Sequence, residues 1–192
     1  MPIFLAGVGG VGKTAVGAVL ADLLGVGFFD LDVEIERFHG ASIARLQNRF
    51  LTMDGYRKEA AKALVHLLAR RESRDAVIAL PPSGLMGAYL RALKTTRGTV
   101  VVLEDSPERI LERVTFFDAD SRPIEKKLTP AEKRACLRQI KDDISYFSRS
   151  YAKADLRVDI EGLDVEGAAL RVADELGSLS QRSGPDDEVG HT

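Results

Sequence analysis

The stretch GVGGVGKT, residues 7–14, decides which fold this chain can adopt. It matches the pattern G-x-x-x-x-G-K-[ST], in which a glycine-rich turn leads directly to a lysine and a hydroxyl residue. An apolar segment at residues 3–6 precedes the motif, and apolar residues recur at helical spacing over residues 13–24. This order of strand, glycine turn and helix is the setting that a phosphate-binding loop requires.

The parts of this loop have separate tasks in binding a nucleoside triphosphate. The glycines let the backbone curl so that several N–H groups face phosphate oxygens, and the following helix adds the positive end of its dipole. We expect Lys13 to reach the β- and γ-phosphates and the Thr14 hydroxyl to ligate Mg²⁺. ATP is favoured over GTP because the chain has no N/T-K-x-D stretch for guanine. The predicted nucleotide-binding residues are Gly9, Gly10, Val11, Gly12, Lys13, Thr14 and Ala15.

Segments of strand and helix character alternate along the chain. Strands are predicted at residues 3–6, 27–30, 76–80, 99–103 and 156–160. Helices are predicted at residues 13–24, 33–39, 55–71, 85–94, 131–147 and 165–176, with short helices from Ser42 and from Ser106-Pro107. This alternation predicts an α/β fold in three layers, with a mostly parallel five-stranded sheet between helices.

Length and composition suggest how the chain is divided. With 192 residues, a single domain over residues 1–177 is the expectation. Residues 116–130 are polar and interrupted by prolines, which indicates a mobile lid. Residues 178–192 have little that can be buried and are predicted to form a disordered tail.

Charge and cysteine content exclude several classes of protein. The net charge is −2, from 27 basic and 29 acidic residues, which argues against a nucleic-acid-binding surface. The chain has no apolar run of about 18 residues, so no membrane span is predicted, and the N-terminus lacks the features of a signal peptide. The single Cys136 permits no internal disulfide and fits a reducing cytoplasm. We expect a cytoplasmic monomer whose partner is a small molecule.

Two acidic residues follow the second predicted strand, in the segment GFFDLD. On an extended chain the side chains of Asp30 and Asp32 point the same way, because side chains alternate with period two. One carboxylate can then hold a water on Mg²⁺ while the other accepts a hydrogen bond from an acceptor hydroxyl. The alternative is that both are solvated turn residues or caps of the helix predicted at Val33.

The chain resembles the shikimate kinase family over residues 3–177. The resemblance is carried, in order, by GVGGVGKTAVG, GVGFFDLDVEIE, GASIARL, GYRKEA, VVVLEDSPERILERV, SRPI and ADLRVDIEGL. It implies a P-loop small-molecule kinase that transfers the γ-phosphate of ATP to a hydroxyl of shikimate with Mg²⁺. The pathway implied is aromatic amino-acid biosynthesis.

The resemblance also implies roles for individual residues on the acceptor side. Asp30 takes the metal side and Asp32 the acceptor side. Arg57 matches an arginine that grips the carboxylate of shikimate, for which the guanidinium fork is suited. Arg149 resembles a second arginine that contacts the same carboxylate, although its spacing to Asp155 is shorter than in the family.

Two further arginines match residues on the nucleotide side of the family. Arg113 resembles the arginine that packs near adenine. Arg122 matches the lid arginine that closes over the phosphates and excludes water. Lys13, Asp32 and Arg122 are therefore the predicted catalytic residues.

One segment departs from the family. Where shikimate kinases have a T-G-G-G turn after the central strand, this chain has Leu80, Pro81, Pro82 and Ser83. Two backbone N–H donors are absent because proline has none, and proline also fixes φ near −65°. Ser83 and Gly84 are the candidate donors one step further on, and Ser83 is alternatively the N-cap of the helix predicted at residues 85–94.

Three explanations of this turn stay open. Ser83 and Gly84 supply the missing donors, or the acceptor is another small hydroxylated acid such as gluconate, or the protein is a nucleotide-binding module without catalysis. A nucleoside monophosphate kinase is less well supported, since that resemblance stops at the level of the fold.

Overall fold

A computed structural model describes residues 1–182 of the chain. The strands are β1 (Ile3–Ala6), β2 (Phe28–Asp30), β3 (Val77–Ala79), β4 (Thr99–Glu104), β5 (Phe116–Phe117), β6 (Pro123–Ile124) and β7 (Leu156–Asp159). The helices are α1 (Lys13–Leu24), α2 (Leu31–His39), α3 (Ile43–Gln47), α4 (Met53–Ala69), α5 (Gly87–Leu93), α6 (Pro107–Arg113), α7 (Pro130–Tyr151) and α8 (Val165–Arg182). A 3₁₀ turn at Arg71–Ser73 follows α4.

Five strands form a central parallel sheet in the order β2-β3-β1-β4-β7. In register, Ile3 of β1 lies between Val77 of β3 and Thr99 of β4. The sheet is surrounded by helices, and α1 packs against both α8 and β3. The predicted α/β fold with a five-stranded parallel sheet is confirmed. Because the strands are parallel, the segments that follow β1, β2 and β3 emerge at one edge of the sheet.

Burial of the strands accounts for their composition. Leu5, Ile78 and Val102 lie at the centre of β1, β3 and β4 and are fully buried. A parallel strand covered on both faces favours a continuous apolar run, and TVVVL at residues 99–103 is such a run. The predicted helix 13–24 matches α1, which ends at Gly25 in a left-handed conformation.

Helix α2 begins earlier than predicted. It starts at Leu31, and Asp30 is its N-cap, with Asp30 Oδ1 accepting a 2.9 Å hydrogen bond from the Asp32 N–H. Asp32 therefore lies in the first helical turn, and the argument from an extended chain was wrong. The capping alternative applies to Asp30, because an aspartate side chain satisfies one of the free amides at a helix start.

Helix α5 also departs from its predicted start. It begins at Gly87 with Met86 as N-cap, so Ser83 is not the N-cap. Residues 81–84 form a turn closed by a 2.8 Å bond from the Gly84 N–H to the Pro81 carbonyl. A second hydrogen bond of 2.9 Å, from the Met86 N–H to the Ser83 carbonyl, continues the turn, so the helix begins only at Gly87.

The last helix is longer than predicted. Helix α8 continues to Arg182, so residues 178–182 are helical and do not belong to a disordered tail. The reason is that Val172, Leu176 and Leu179 continue an apolar face at helical spacing. The rest of the predicted tail, residues 183–192, lies outside the described residues.

The predicted lid contains a small antiparallel hairpin of β5 and β6, in which Phe116 pairs with Ile124. Helix α7 begins directly after it at Pro130, with a capping box between Thr129 and Glu132. Within residues 1–182, no helix has the length and apolar character needed to cross a membrane.

Candidate active site

A cleft of about 1140 Å³ lies at the carboxyl ends of β1, β2 and β3. One wall is the glycine loop with the start of α1, residues 9–16. The opposite side consists of residues from α2, α3 and the lid hairpin, and α7 and the start of α8 complete the lining. The cleft therefore joins the phosphate-binding loop to the segment that carries both candidate aspartates.

The glycine loop has the curled backbone that its sequence predicts. Gly7, Gly10 and Gly12 have φ angles of 139°, 77° and 109°, which are left-handed conformations that favour glycine. A Cβ on Gly7 would lie 2.7 Å from the backbone oxygen of Leu103. A Cβ on Gly10 would lie 3.1 Å from the Val114 side chain and 3.3 Å from the Ile110 side chain, so the loop is packed closely against α6 and the residue that follows it. This backbone suits phosphate binding because the glycines have no side chains that would block access of phosphate oxygens to the N–H groups.

Lys13 occupies the mouth of this loop. Its ammonium donates 2.9 Å hydrogen bonds to the carbonyl oxygens of Gly7 and Val8. Burial lowers the pKa of Lys13 to about 8, while the nearby carboxylates of Asp32 and Asp30 oppose that change. The ammonium is therefore protonated at neutral pH and supplies positive charge inside the cleft.

Thr14 and Asp30 form a pair of oxygen donors beside the loop. The Thr14 hydroxyl donates a 2.6 Å hydrogen bond to Asp30 Oδ2. Hard oxygen atoms of this kind are what Mg²⁺ prefers, so the pair fits a magnesium site. Within the described part of the chain, no group of three or more His, Cys, Asp or Glu side chains is arranged to hold a metal. Magnesium here would therefore need further ligands from water and phosphate, as is usual for this ion.

Asp32 lines the same cleft as Lys13, close enough for the two charges to interact. Its carboxyl group opens into the cleft and is accessible, but the surrounding walls limit its hydration. Desolvation, and then repulsion from Asp30 and Glu36, raise the pKa of Asp32 to about 6, with Lys13 acting in the opposite direction. A carboxylate with this pKa is ionised at neutral pH yet basic enough to accept a proton.

Arg113 lies where α6 meets the lid, and it lines the cleft. Its guanidinium pairs with the Asp105 carboxylate, which is fully buried and also 3.7 Å from Arg109. Within residues 1–182, the buried Nε of Arg113 has no hydrogen-bond partner. The ion pair with Asp105 thus fixes the position of Arg113, while its Nε donor stays without a partner within residues 1–182.

The remaining predicted site residues do not line the cleft. Arg57 is half-buried on α4, and its buried Nε has no partner among the described residues. Ser83 and Gly84 are buried in the turn after β3. Arg122 is exposed on the lid hairpin, and Arg149 is exposed near the end of α7.

The turn after β3 offers few backbone donors. The Gly84 amide is already bonded to the Pro81 carbonyl, and the Leu80 amide donates 2.8 Å to Leu5 in β1. Because the prolines have no N–H, the Ser83 amide is the one backbone donor of residues 80–84 that has no partner within residues 1–182. Pro82 lines the cleft with its ring and backbone.

Several polar residues of the cleft were not predicted from the sequence. They include Glu36 on α2, Gln47 on α3, and Gln139 and Asp143 on α7. Glu36 lies four residues after Asp32, so a helix that started at Leu31 would have placed both on one face. The residues on α7 gave no such signal, because their approach depends on how α7 packs against the rest of the fold.

The fold and the cleft together define the class of protein, a P-loop kinase that acts on a small molecule. The cleft of this parallel sheet combines the glycine loop with a lysine and paired carboxylates. Comparison with known proteins makes this more specific. The shikimate kinase family model matches residues 9–168, and the chain belongs to the shikimate kinase family.

Individual relatives agree with this membership. A shikimate kinase of Francisella tularensis subsp. novicida is 32% identical over 171 residues, which is 89% of this chain and 92% of the relative. A shikimate kinase of Methylococcus capsulatus is 32% identical over 142 residues, covering 74% of this chain and 76% of the relative.

Solved structures give the same result for the fold. A structure of shikimate kinase from Acinetobacter baumannii in complex with shikimate superposes with a TM-score of 0.73 at 27% identity, covering 92% of this chain and 93% of the other. A gluconokinase from Sinorhizobium meliloti has a TM-score of 0.59 at 20% identity and covers 95% and 97% of the two chains. At that identity the gluconokinase shares the fold alone.

Proposed function

We propose that the protein transfers the γ-phosphoryl group of ATP to a hydroxyl of shikimate and uses Mg²⁺. The observation that carries this proposal is the meeting of Lys13, Thr14, Asp30 and Asp32 around one cleft in a member of the shikimate kinase family. Phosphoryl transfer needs positive charge at the phosphates and a carboxylate near the acceptor hydroxyl. Both are present within this cleft.

The nucleotide side of the reaction is assigned to the glycine loop and its neighbours. The amides of residues 9–14 bind the phosphates, and Lys13 adds its charge to the transferred group. Thr14, through its hydroxyl, and Asp30, through its carboxylate, would hold the metal. Magnesium bound there would neutralise part of the negative charge on the phosphate oxygens.

The acceptor side is assigned to Asp32. Its carboxylate accepts a hydrogen bond from the attacking hydroxyl and takes up the proton as the new bond to phosphorus forms. A pKa near 6 supports this role, since the group is ionised at neutral pH. The bond from the terminal phosphoryl group to its leaving oxygen breaks as the acceptor oxygen attacks.

Arginines complete the proposed site. We assign Arg57 to the carboxylate of the acceptor, because its Nε is buried without a partner and an arginine can hold a carboxylate bidentately. Arg149 is the second candidate for that carboxylate. Arg113 is assigned to the nucleotide, and Arg122 of the lid hairpin to the phosphates.

The turn after β3 favours a second candidate acceptor, another small hydroxylated acid such as gluconate. A single free amide, that of Ser83, remains where shikimate kinases present a glycine-rich turn. Each missing hydrogen bond to a buried polar group of a ligand costs about 1.5–3 kcal/mol. Weaker binding of shikimate than in a glycine-containing relative is therefore part of the proposal.

The experiment is a coupled assay of ADP release with Mg²⁺-ATP and a panel of acceptors: shikimate, gluconate and nucleoside monophosphates. We expect shikimate to stimulate ADP release most. Lys13→Ala should abolish the stimulation, whereas the exposed Lys133→Ala on α7 should keep it. If gluconate alone stimulated ADP release, the acceptor would be gluconate and not shikimate. Undiminished turnover in Lys13→Ala would refute the mechanism. Binding of ATP without stimulation by any acceptor would favour a non-catalytic module.

A further inference from the structure

The tip of the lid hairpin is attached to the helices on the acceptor side of the cleft. The Ser42 hydroxyl, at the start of α3, donates a 2.6 Å hydrogen bond to the Ala119 carbonyl in the lid. Arg45 on α3 forms a 2.5 Å ion pair with Asp120 of the lid. The lid therefore reaches across the cleft from the nucleotide side and docks on α2 and α3.

Glu36 lies at the centre of this attachment. Its Oε1 accepts a 2.8 Å hydrogen bond from the Ile43 N–H and a second bond from the Ser121 hydroxyl. The carboxylate is half-buried and lines the cleft on the same helical face as Asp32. One oxygen atom thus joins the turn between α2 and α3 to the lid, next to the proposed acceptor carboxylate.

The lid tip is shaped to make this contact. Ser121 has a φ of 60° and is the one non-glycine residue within residues 1–182 with positive φ. Such backbone conformations are uncommon for serine and persist where surrounding contacts hold them. Asp118 supplies those contacts from within the loop, since its Oδ1 accepts bonds of 2.8 Å from the Asp120 N–H and 2.9 Å from the Arg122 N–H.

We infer that Glu36 is a positioning residue that couples closure of the lid to the acceptor side of the cleft. This inference rests on the proposed function. With Glu36 in place, α2 holds Asp32 and the closed lid in one fixed arrangement, so water is excluded when the acceptor is in position. Without it, the lid tip and α2 move independently, and water can take the place of the acceptor hydroxyl.

Two variants distinguish the hydrogen bonds of Glu36 from its negative charge. In Glu36→Gln a side-chain oxygen can still accept from Ile43 and Ser121, whereas Glu36→Ala removes both bonds.

The experiment measures ADP released per acceptor molecule phosphorylated, with shikimate as the probe. In wild type this ratio should be close to one, and Glu36→Ala should raise uncoupled ATP hydrolysis by about tenfold, the effect expected for losing a hydrogen bond to a charged group. Ser121→Ala should act in the same direction, and Glu36→Gln should restore coupling. The matched control is Glu125→Ala, an exposed acid of the lid outside this contact.

A second measurement does not depend on phosphoryl transfer. Release of a fluorescent ADP analogue, followed by stopped flow, should be several-fold faster in Glu36→Ala than in wild type and Glu125→Ala. If no acceptor is phosphorylated by wild type, the proposed function fails while this measurement still tests the lid contact. The inference would be overturned if Glu36→Ala changed neither the ratio of ADP released to acceptor phosphorylated nor the release rate of the ADP analogue. It would also be overturned if Glu36→Gln hydrolysed ATP without phosphorylating the acceptor as much as Glu36→Ala. Thermal unfolding of each variant identifies a general loss of structure, and Ser121→Ala then carries the test.

Discussion

The hydroxyl of Tyr151 donates a 2.9 Å hydrogen bond to the carbonyl oxygen of Pro82. Tyr151 is the last residue of α7 and is buried, and Pro82 is part of the turn that faces the cleft. Burial raises the pKa of Tyr151, so the phenol stays protonated and remains a donor. The end of α7 therefore holds the turn that contains the two prolines, and it links that turn to the region of Arg149.

This bond predicts a specific loss in Tyr151→Phe. The variant leaves the Pro82 carbonyl without its partner, which should destabilise the protein by about 1–2 kcal/mol. For a domain of this size the melting temperature should fall by about 2–5 °C. The KM for shikimate should rise more than the KM for ATP, because the turn lies on the acceptor side. Tyr146→Phe is the control: Tyr146 is 59% exposed, and its variant should match wild type in both measurements.

The prolines themselves can be tested by restoring glycine. In Pro81→Gly/Pro82→Gly the turn regains two N–H donors and loses the bulk of two rings, so the KM for shikimate should fall by about tenfold. Most of this effect should come from Pro82→Gly alone, because Pro82 lines the cleft whereas Pro81 is buried beneath it. The melting temperature should fall in both variants, since glycine increases the entropy of the unfolded chain. An unchanged KM in the double variant would contradict this account of the turn.

The part of the cleft formed by the glycine loop could be predicted from the sequence because it is local. The glycine loop, Lys13 and Thr14 lie within eight consecutive residues, and strand, turn and helix leave a clear pattern there. The five strands were also predictable, since buried parallel strands are short apolar runs. Asp32 lines this cleft, but the extended geometry used to predict its direction was wrong, because α2 starts at Leu31.

The opposite part of the cleft depends on contacts that leave no short motif in the sequence. Tyr151 meets Pro82 across 69 residues of sequence, and Ser121 meets Glu36 across 85. Such pairs are set by how α7 and the lid pack on the sheet. For Ser83 the sequence left two roles open, a donor to the ligand or the N-cap of a helix. The cap role was wrong, because the turn closed by Pro81 and Gly84 lies between β3 and the start of α5.

The pH dependence of activity follows from Asp32 and Lys13. The pKa of Asp32 is about 6 and that of Lys13 about 8, so kcat/KM should be greatest between these values. Below pH 6 Asp32 is protonated and cannot accept from the acceptor hydroxyl, and above pH 8 Lys13 loses its charge. Initial rates from pH 5 to pH 9.5 give the profile. In Asp32→Asn the acid limb attributed to Asp32 should disappear from the residual activity; an unchanged limb would assign it to another group.

The same pKa predicts that Asp32 reduces stability at high pH. Its pKa is raised in the folded protein, so the folded state binds the proton more tightly than the unfolded chain, and stability increases as the pH falls through about 6. Above that pH, Asp32→Asn should raise the melting temperature by about 2–4 °C after allowance for the partial exposure of the carboxylate. The difference between variant and wild type should shrink towards pH 4.5, where Asp32 is protonated. A variant less stable than wild type at pH 8 would show that Asp32 stabilises the fold.

Two glycines of the phosphate-binding loop should differ in their sensitivity to the same substitution. Gly7 has a φ of 139°, and a Cβ there would lie 2.7 Å from the Leu103 backbone oxygen. Gly9 has no atom within 4 Å of the same position. Gly7→Ala should therefore lower the free energy of unfolding by about 2–4 kcal/mol, from strain and from displacement of β4, whereas Gly9→Ala should change it by less than about 0.5 kcal/mol. Urea denaturation of both variants measures the difference, and calorimetry with Mg²⁺-ADP should show weaker binding for Gly7→Ala because the amide cradle is displaced. Equal stability of the two variants would mean that the loop can relax around a side chain at Gly7, and its close packing against Leu103 would then not be what shapes the cradle.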